Sequence, residues 1–127
     1  MKTNNFKELL KQKMHEYVRF VYRATKGFPK DELYGVTSQF RRSTLSVILN
    51  YIEGYARRKP RSQLNFFEIS YASLKESKYL LFFSKVEGYL TLEDYPSGLA
   101  LADEIGAILW TEISALEESL DNKKHED

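Results

Sequence analysis

From Asp31 to Arg58 the chain runs without a proline and carries apolar residues along two lines at helical spacing. Leu33, Val36, Phe40, Thr44, Val47, Tyr51 and Tyr55 recur at steps of three and four, so they share one face of a helix. Leu45, Ile48, Leu49 and Ile52 form a second apolar line beside them. A surface helix needs only one such stripe. This one must be packed on two sides, and that requirement constrains the fold more than any other feature.

Glycine and proline punctuate the chain at Gly27 to Pro29, at Pro60, and from Gly88 to Gly98. Helical periodicity fills the intervals. The first helix is expected over about 4–26, with Phe6, Leu9, Leu10, Met14, Tyr17, Val21 and Ala24 on one face and Gly27 as its stop. The second is expected over about 31–58, with Asp31 as N-cap and Arg57 and Arg58 at its negative end. The third is expected over about 62–87, capped by Ser62, with Leu64, Phe67, Tyr71, Leu74, Lys78 and Leu81 as its seam. The fourth starts at Thr91 or at Ser97 and runs to about 121, on Leu101, Ile105, Ile108, Leu109, Ile113, Leu116 and Leu120. Asp121 to Asp127 reads as a charged, frayed tail. Trp110 points away from that last seam.

Four long helices joined by short connections imply an all-α, up-down-up-down antiparallel four-helix bundle. A chain of 127 residues is long enough to bury a core and reads as a single domain over 1–127. One core does not accommodate all the apolar surface. Ile48, Leu49, Phe66, Tyr79, Phe82 and Phe83 exceed a central stripe, and a contiguous excess points to self-association.

The formal net charge of +1 conceals a division. Residues 1–61 hold 14 Lys/Arg against 5 Asp/Glu, and residues 62–127 hold 5 against 13, giving +9 and −8. Either basic helices pair with acidic ones, or a basic surface awaits an anionic partner.

Two polar groups stand out on the second helix. Gln39, Arg42, Ser46, Asn50, Glu53 and Arg57 follow one another at steps of three or four and form a stripe. It reads either as a groove for phosphate or base edges, or as a hydrogen-bonded structural contact in which Glu53 pairs with Arg57. Arg57, Arg58, Lys59 and Arg61, with Arg41 and Arg42 further back, form basic clusters that suit phosphate and so RNA or DNA. The alternative is a solvated turn at a helix C-terminus. Tyr55 and Phe66 lie near enough in sequence to offer stacking.

Catalysis has little to work with. His15 and His125 are the only histidines, cysteine is absent, and no Gly-rich phosphate loop or His-Glu-x-x-His occurs. No catalytic residue, cofactor or metal site is expected. Nor is a membrane span, since no apolar run reaches the needed length. Met1 to Lys7 lacks the apolar core of a secretory leader, and together with the lack of cysteine this implies a cytoplasmic location.

Phe28-Pro29-Lys30-Asp31-Glu32-Leu33-Tyr34-Gly35-Val36-Thr37-Ser38-Gln39-Phe40-Arg41-Arg42 resembles a family signature, F-P-K-D-E-L-Y-G-L-T-S-Q-I-R-R. The signature continues as S-I-P-S-N-I-A-E-G-Y-G-R, which Ser46, Asn50, Glu53, Gly54, Tyr55 and Arg57 match. Ala72-Ser73-Leu74-Lys75-Glu76 and Gly88-Tyr89-Leu90 resemble further family segments. Ile48 replaces a proline, and Ile52 and Ala56 replace Ala and Gly. The family is that of bacterial four-helix-bundle proteins encoded by intervening sequences in 23S rRNA genes. The resemblance implies a ring of copies, typically five. It also implies kinship with an accessory protein of diversity-generating retroelements, a basic barrel that binds nucleic acid and works with a reverse transcriptase. For a chain of this family the expected partners are therefore itself, RNA or DNA, and a reverse transcriptase.

Overall fold

A computed structural model describes residues 2–126, with side chains described for residues 6–123; the side chain of His125 lies outside them. Four α-helices and no strand occur among the described residues. They are α1 (Lys2–Thr25), α2 (Val36–Ala56), α3 (Pro60–Val86) and α4 (Asp94–Glu126), with a 3-10 turn at Lys30–Glu32. Each of α1–α2, α2–α3, α3–α4 and α4–α1 is a packed pair, so the helices close around one core.

That core draws on every helix: Leu10, Met14, Tyr17, Phe20 and Val21 from α1, Phe40, Val47 and Tyr51 from α2, Phe67, Leu74 and Leu81 from α3, and Ala102, Ile105, Leu109 and Ile113 from α4. The predicted seams of α2 and α4 are largely present. On α1, Phe6 and Leu9 are exposed, while Phe20 and Thr25 are buried instead. The inner face of α3 is a strict alternation of Phe67, Ser70, Leu74, Ser77, Leu81 and Ser84, all buried. Lys78, placed in that seam by its spacing, lies at the edge and bonds Asp103 of α4 at 2.7 Å.

The serines let α2 and α3 approach closely and tie them together. Ser70 donates to the Val47 carbonyl at 2.6 Å, and the Ser77 hydroxyl shares hydrogen bonds of 2.8 Å with both Thr44 and Tyr17. A buried hydroxyl costs free energy unless bonded, so this set fixes the depth of α3 against α1 and α2. Burial pushes the Tyr17 phenol up to about 12.

Three boundaries differ from expectation. The second helix begins at Val36, not Asp31, because the 3-10 turn and Gly35 interrupt the helical advance. Leu33, assigned to the core by spacing, is thereby turned outward and is exposed. Asp31 does not cap; Glu32 does, accepting the Val36 N–H at 3.4 Å. The third helix begins at Pro60, whose missing N–H costs nothing in a first turn, so Ser62 lies inside it. For the fourth, Thr91 is the start signal: its hydroxyl accepts the Asp94 N–H at 3.1 Å, and Pro96 falls in the tolerated first turn. The segment expected to fray is helical through Glu126. Ile48 sits in an unbroken helix, so no kink accompanies the loss of the family's proline.

Gly88 adopts φ 76°, and the Tyr89 N–H reaches back to the Ser84 carbonyl at 2.8 Å, which closes α3. This turn aims Tyr89 at the other end of the signature. Its ring packs 5.5 Å from that of buried Phe28, and its hydroxyl donates to Glu32 at 3.0 Å.

Candidate nucleic-acid interface on the second helix

The polar stripe of α2 divides into parts with different work. At its centre the Ser46 and Ser73 hydroxyls share a hydrogen bond of 2.7 Å across to α3. Asn50 donates to both the carbonyl and the hydroxyl of Ser46 at 2.8 Å. Those groups are half-buried and engaged with each other, which makes this part of the stripe a helix–helix contact. Gln39 and Arg42, at one end, are exposed. At the other end Arg57 donates to Glu53 at 2.5 Å and lies over the Phe66 ring, 4.6 Å from its centre.

The six predicted phosphate-binding cations do not form one patch. Arg41 turns towards α1: its Nε donates to the buried Thr25 hydroxyl at 2.8 Å and its guanidinium lies 4.8 Å from the Tyr22 ring centre. Arg42, the next residue, is exposed. Both lie roughly 24 Å along the axis from Arg58, at 1.5 Å per residue. Arg58, Lys59 and Arg61 cluster at the α2–α3 turn. All three are exposed, and none enters an ion pair among the described residues. Arg57, Arg58 and Lys59 border a shallow open concavity of about 400 Å³.

The ion pairs show how little of the charge division is used internally. Glu8–Lys11 lies within α1, Glu53–Arg57 spans the C-terminal end of α2, and Lys78–Asp103 lies within the acidic half. Among the described residues only Lys13–Glu104 joins the basic half to the acidic one.

Spacing missed one polar site. Tyr51, 0% exposed, donates to Glu112 of α4 at 2.6 Å, and Tyr55 donates to the other oxygen of that carboxylate at 3.0 Å. The Lys7 ammonium lies 4.3 Å from the centre of the Tyr55 ring. Burial pushes Tyr55 up to about 12, and burial with the carboxylate's hydrogen bond holds Tyr51 well above the usual phenol range. The cluster clamps three helices at the end of the bundle that carries the basic turn. No group of acidic or histidine side chains among the described residues is arranged to hold a metal. No helix there is long and apolar enough to cross a membrane.

The profile of the family described as 23S rRNA-intervening sequence protein matches residues 7–111. The chain belongs to that family. A solved structure from Bacteroides thetaiotaomicron, described as a protein of unknown function from the S23 ribosomal protein family, superposes with a TM-score of 0.78. It is 23% identical, and the match covers 86% of this chain and 98% of that one, so it supports the fold. No curated protein matches the chain. Family membership gives the signature a structural meaning. Its separate segments touch: Glu32 meets Tyr89, and Ser46 meets Ser73.

Proposed function

We propose that this protein is a non-catalytic, self-associating helical bundle that binds RNA or DNA through phosphate contacts. The observation that carries the reading is the turn of Arg58, Lys59 and Arg61, three exposed cations without ion-pair partners among the described residues. Unpaired guanidinium forks suit phosphate oxygens and release counterions on binding. Arg57 is already paired and has a lesser role. Arg41 serves the α1–α2 contact, and Arg42 supplies a separate, distant contact.

The bundle is a single up-down-up-down unit. Opposed numbering at the contacts supports this: Val47 meets Ser70 while Thr44 meets Ser77, and Arg41 meets Thr25 while Lys7 meets Tyr55. Self-association is supported by the outer surface of α2 and α3, where Leu49 is 57% exposed and Tyr79 62%, and Ile52 and Ile69 are exposed as well. The family likeness implies five copies. A second reading, a purely structural or protein-interaction module serving a reverse transcriptase, rests on the same face and needs no nucleic-acid contact.

Titration of labelled structured RNA and single-stranded DNA at low and moderate salt separates the two. Binding is expected at low salt, and Arg58→Glu with Arg61→Glu should weaken it and lower the salt slope by about 2. Absence of binding at low salt, or an unchanged slope in the variant, would leave only the interaction module. Sedimentation at micromolar concentration should give a multiple of the 14.9 kDa chain mass.

A further inference from the structure

The groove between α3 and α4 lies outside the basic turn and outside the signature contacts. Its volume is about 250 Å³, below the range of drug-sized pockets and suited to one planar ring system. Trp110 forms one wall. It is 55% exposed and packs against Tyr71 with ring centres 5.2 Å apart and planes at 45°, which leaves much of the indole uncovered. The floor is low because small residues, Ala102 and Gly106, stand where α4 faces Leu74. Two cations line the α3 side. Lys75 holds its ammonium 5.1 Å from the centre of the Tyr71 ring, and Lys78 is fixed by its hydrogen bond to Asp103.

The half-exposed indole leaves an aromatic face open to a ligand, and these lysines are two of the five basic residues in the acidic half. A flat aromatic face beside the Lys75 ammonium matches an unpaired nucleobase with its phosphate. Base stacking on an aromatic is indifferent to sequence, and the nearby cations track the backbone.

We infer that the Trp110–Tyr71 groove is a stacking site for an unpaired base of single-stranded nucleic acid. The inference rests on the nucleic-acid reading above and adds a second contact on a different pair of helices. Lys75 is the phosphate contact there, Lys78 being held by the Asp103 carboxylate that also lines the groove, and Trp110 supplies the stacking face.

Trp110 is the only tryptophan, so its emission reports the groove directly. The full-length protein is titrated with adenosine monophosphate and with a short oligoadenylate. Both should quench Trp110, and the Arg58→Glu/Arg61→Glu variant should keep the mononucleotide response while losing oligonucleotide affinity. Trp110→Ala should weaken oligonucleotide binding, read by anisotropy, about 5- to 150-fold, with Trp110→Phe falling between it and the parent. Trp110 is half-exposed, so unchanged circular dichroism and sedimentation are expected in both variants. Three results each overturn the inference: no quenching by either ligand, unchanged oligonucleotide affinity in Trp110→Ala, or an emission shift that follows protein concentration alone because a second copy covers the groove.

Discussion

Removal of the Glu112 carboxylate is the sharpest test of how the bundle is held. Tyr51 is completely buried, and its hydroxyl has Glu112 as its acceptor at 2.6 Å; Tyr55 bonds the other oxygen at 3.0 Å. A hydrogen bond to a charged group contributes about 1.5–3 kcal/mol, and a stranded buried hydroxyl costs about 1–3 kcal/mol. Removing the carboxylate also removes its own desolvation cost, so the total falls below the sum of two such bonds. Glu112→Ala should therefore lose about 2–4 kcal/mol, and Glu112→Gln, which keeps an acceptor for Tyr51, about 1 kcal/mol. The decisive measurement is the double variant. Tyr51→Phe alone should destabilise by about 1 kcal/mol, but in the Glu112→Ala background it should be neutral or stabilising, because it deletes the stranded hydroxyl. Urea unfolding followed by circular dichroism, at one protein concentration, supplies all four values. Additive effects of the two substitutions would refute the argument that Glu112 serves chiefly to satisfy the buried phenol.

The Tyr17 phenol, at about 12 in the folded chain against 10.0 ordinarily, makes the fold sensitive to alkali. Below about pH 10 it is neutral in both states and contributes no slope; between about 10 and 12 the unfolded chain loses a proton that the fold retains. Stability should thus fall by about 1.4 kcal/mol per pH unit from this group, and Tyr17→Phe should flatten that part of the curve; an identical alkaline slope in the variant would contradict this. Gly98 leaves no room for a side chain, since a Cβ there would lie 2.5 Å from the Phe20 ring and 3.1 Å from Leu81. Gly98→Val should lower stability by about 1–3 kcal/mol through overpacking, and a neutral melting curve would show that the helices can separate there at no cost. Leu49→Asp should reduce the sedimenting mass while leaving helicity unchanged, because the residue is exposed in the single chain; unchanged mass would exclude this face from the assembly.

Where a helix runs and which residues it buries were legible wherever one spacing rule operated alone. The α4 seam of Ile105, Leu109 and Ile113 follows from steps of four, and all three are buried. Leu33 failed because spacing was counted through a turn: the 3-10 segment and Gly35 break the constant advance per residue. Ser70, Ser77 and Ser84 failed for a chemical reason. Apolar periodicity assigns serine to the surface, yet a small hydroxyl fits between close helices: Ser70 bonds the Val47 carbonyl and Ser77 the Thr44 and Tyr17 hydroxyls, while Ser84 is buried with no hydrogen-bond partner among the described residues. The stripe was legible as a face, but not as a division of labour. Ser46 turns to α3 because Ser73 lies opposite, Asn50 bonds back to Ser46, and that pairing depends on the register of two helices joined through Pro60. Glu112 could not be read at all, since its partners lie 57 and 61 residues away.

The charge division then bears on how the two proposed surfaces relate. Had the basic half been neutralised by the acidic half within the chain, ion pairs between them would dominate; Lys13–Glu104 alone does so among the described residues. The remaining charge faces outward and has two outlets, the acidic half of a neighbouring copy or an external polyanion. Exposed ion pairs contribute little and are screened by salt, so a ring held by them would loosen as salt rises. The exposed face of Leu49, Ile52, Ile69 and Tyr79 is apolar, and apolar contacts do not weaken in that way. Assembly through that face would therefore leave the Arg58–Arg61 turn free of structural duty. Each copy added to a ring would then present another such turn to the same strand. Affinity for a long nucleic acid would rise with the number of copies while each turn kept its own weak, salt-sensitive grip.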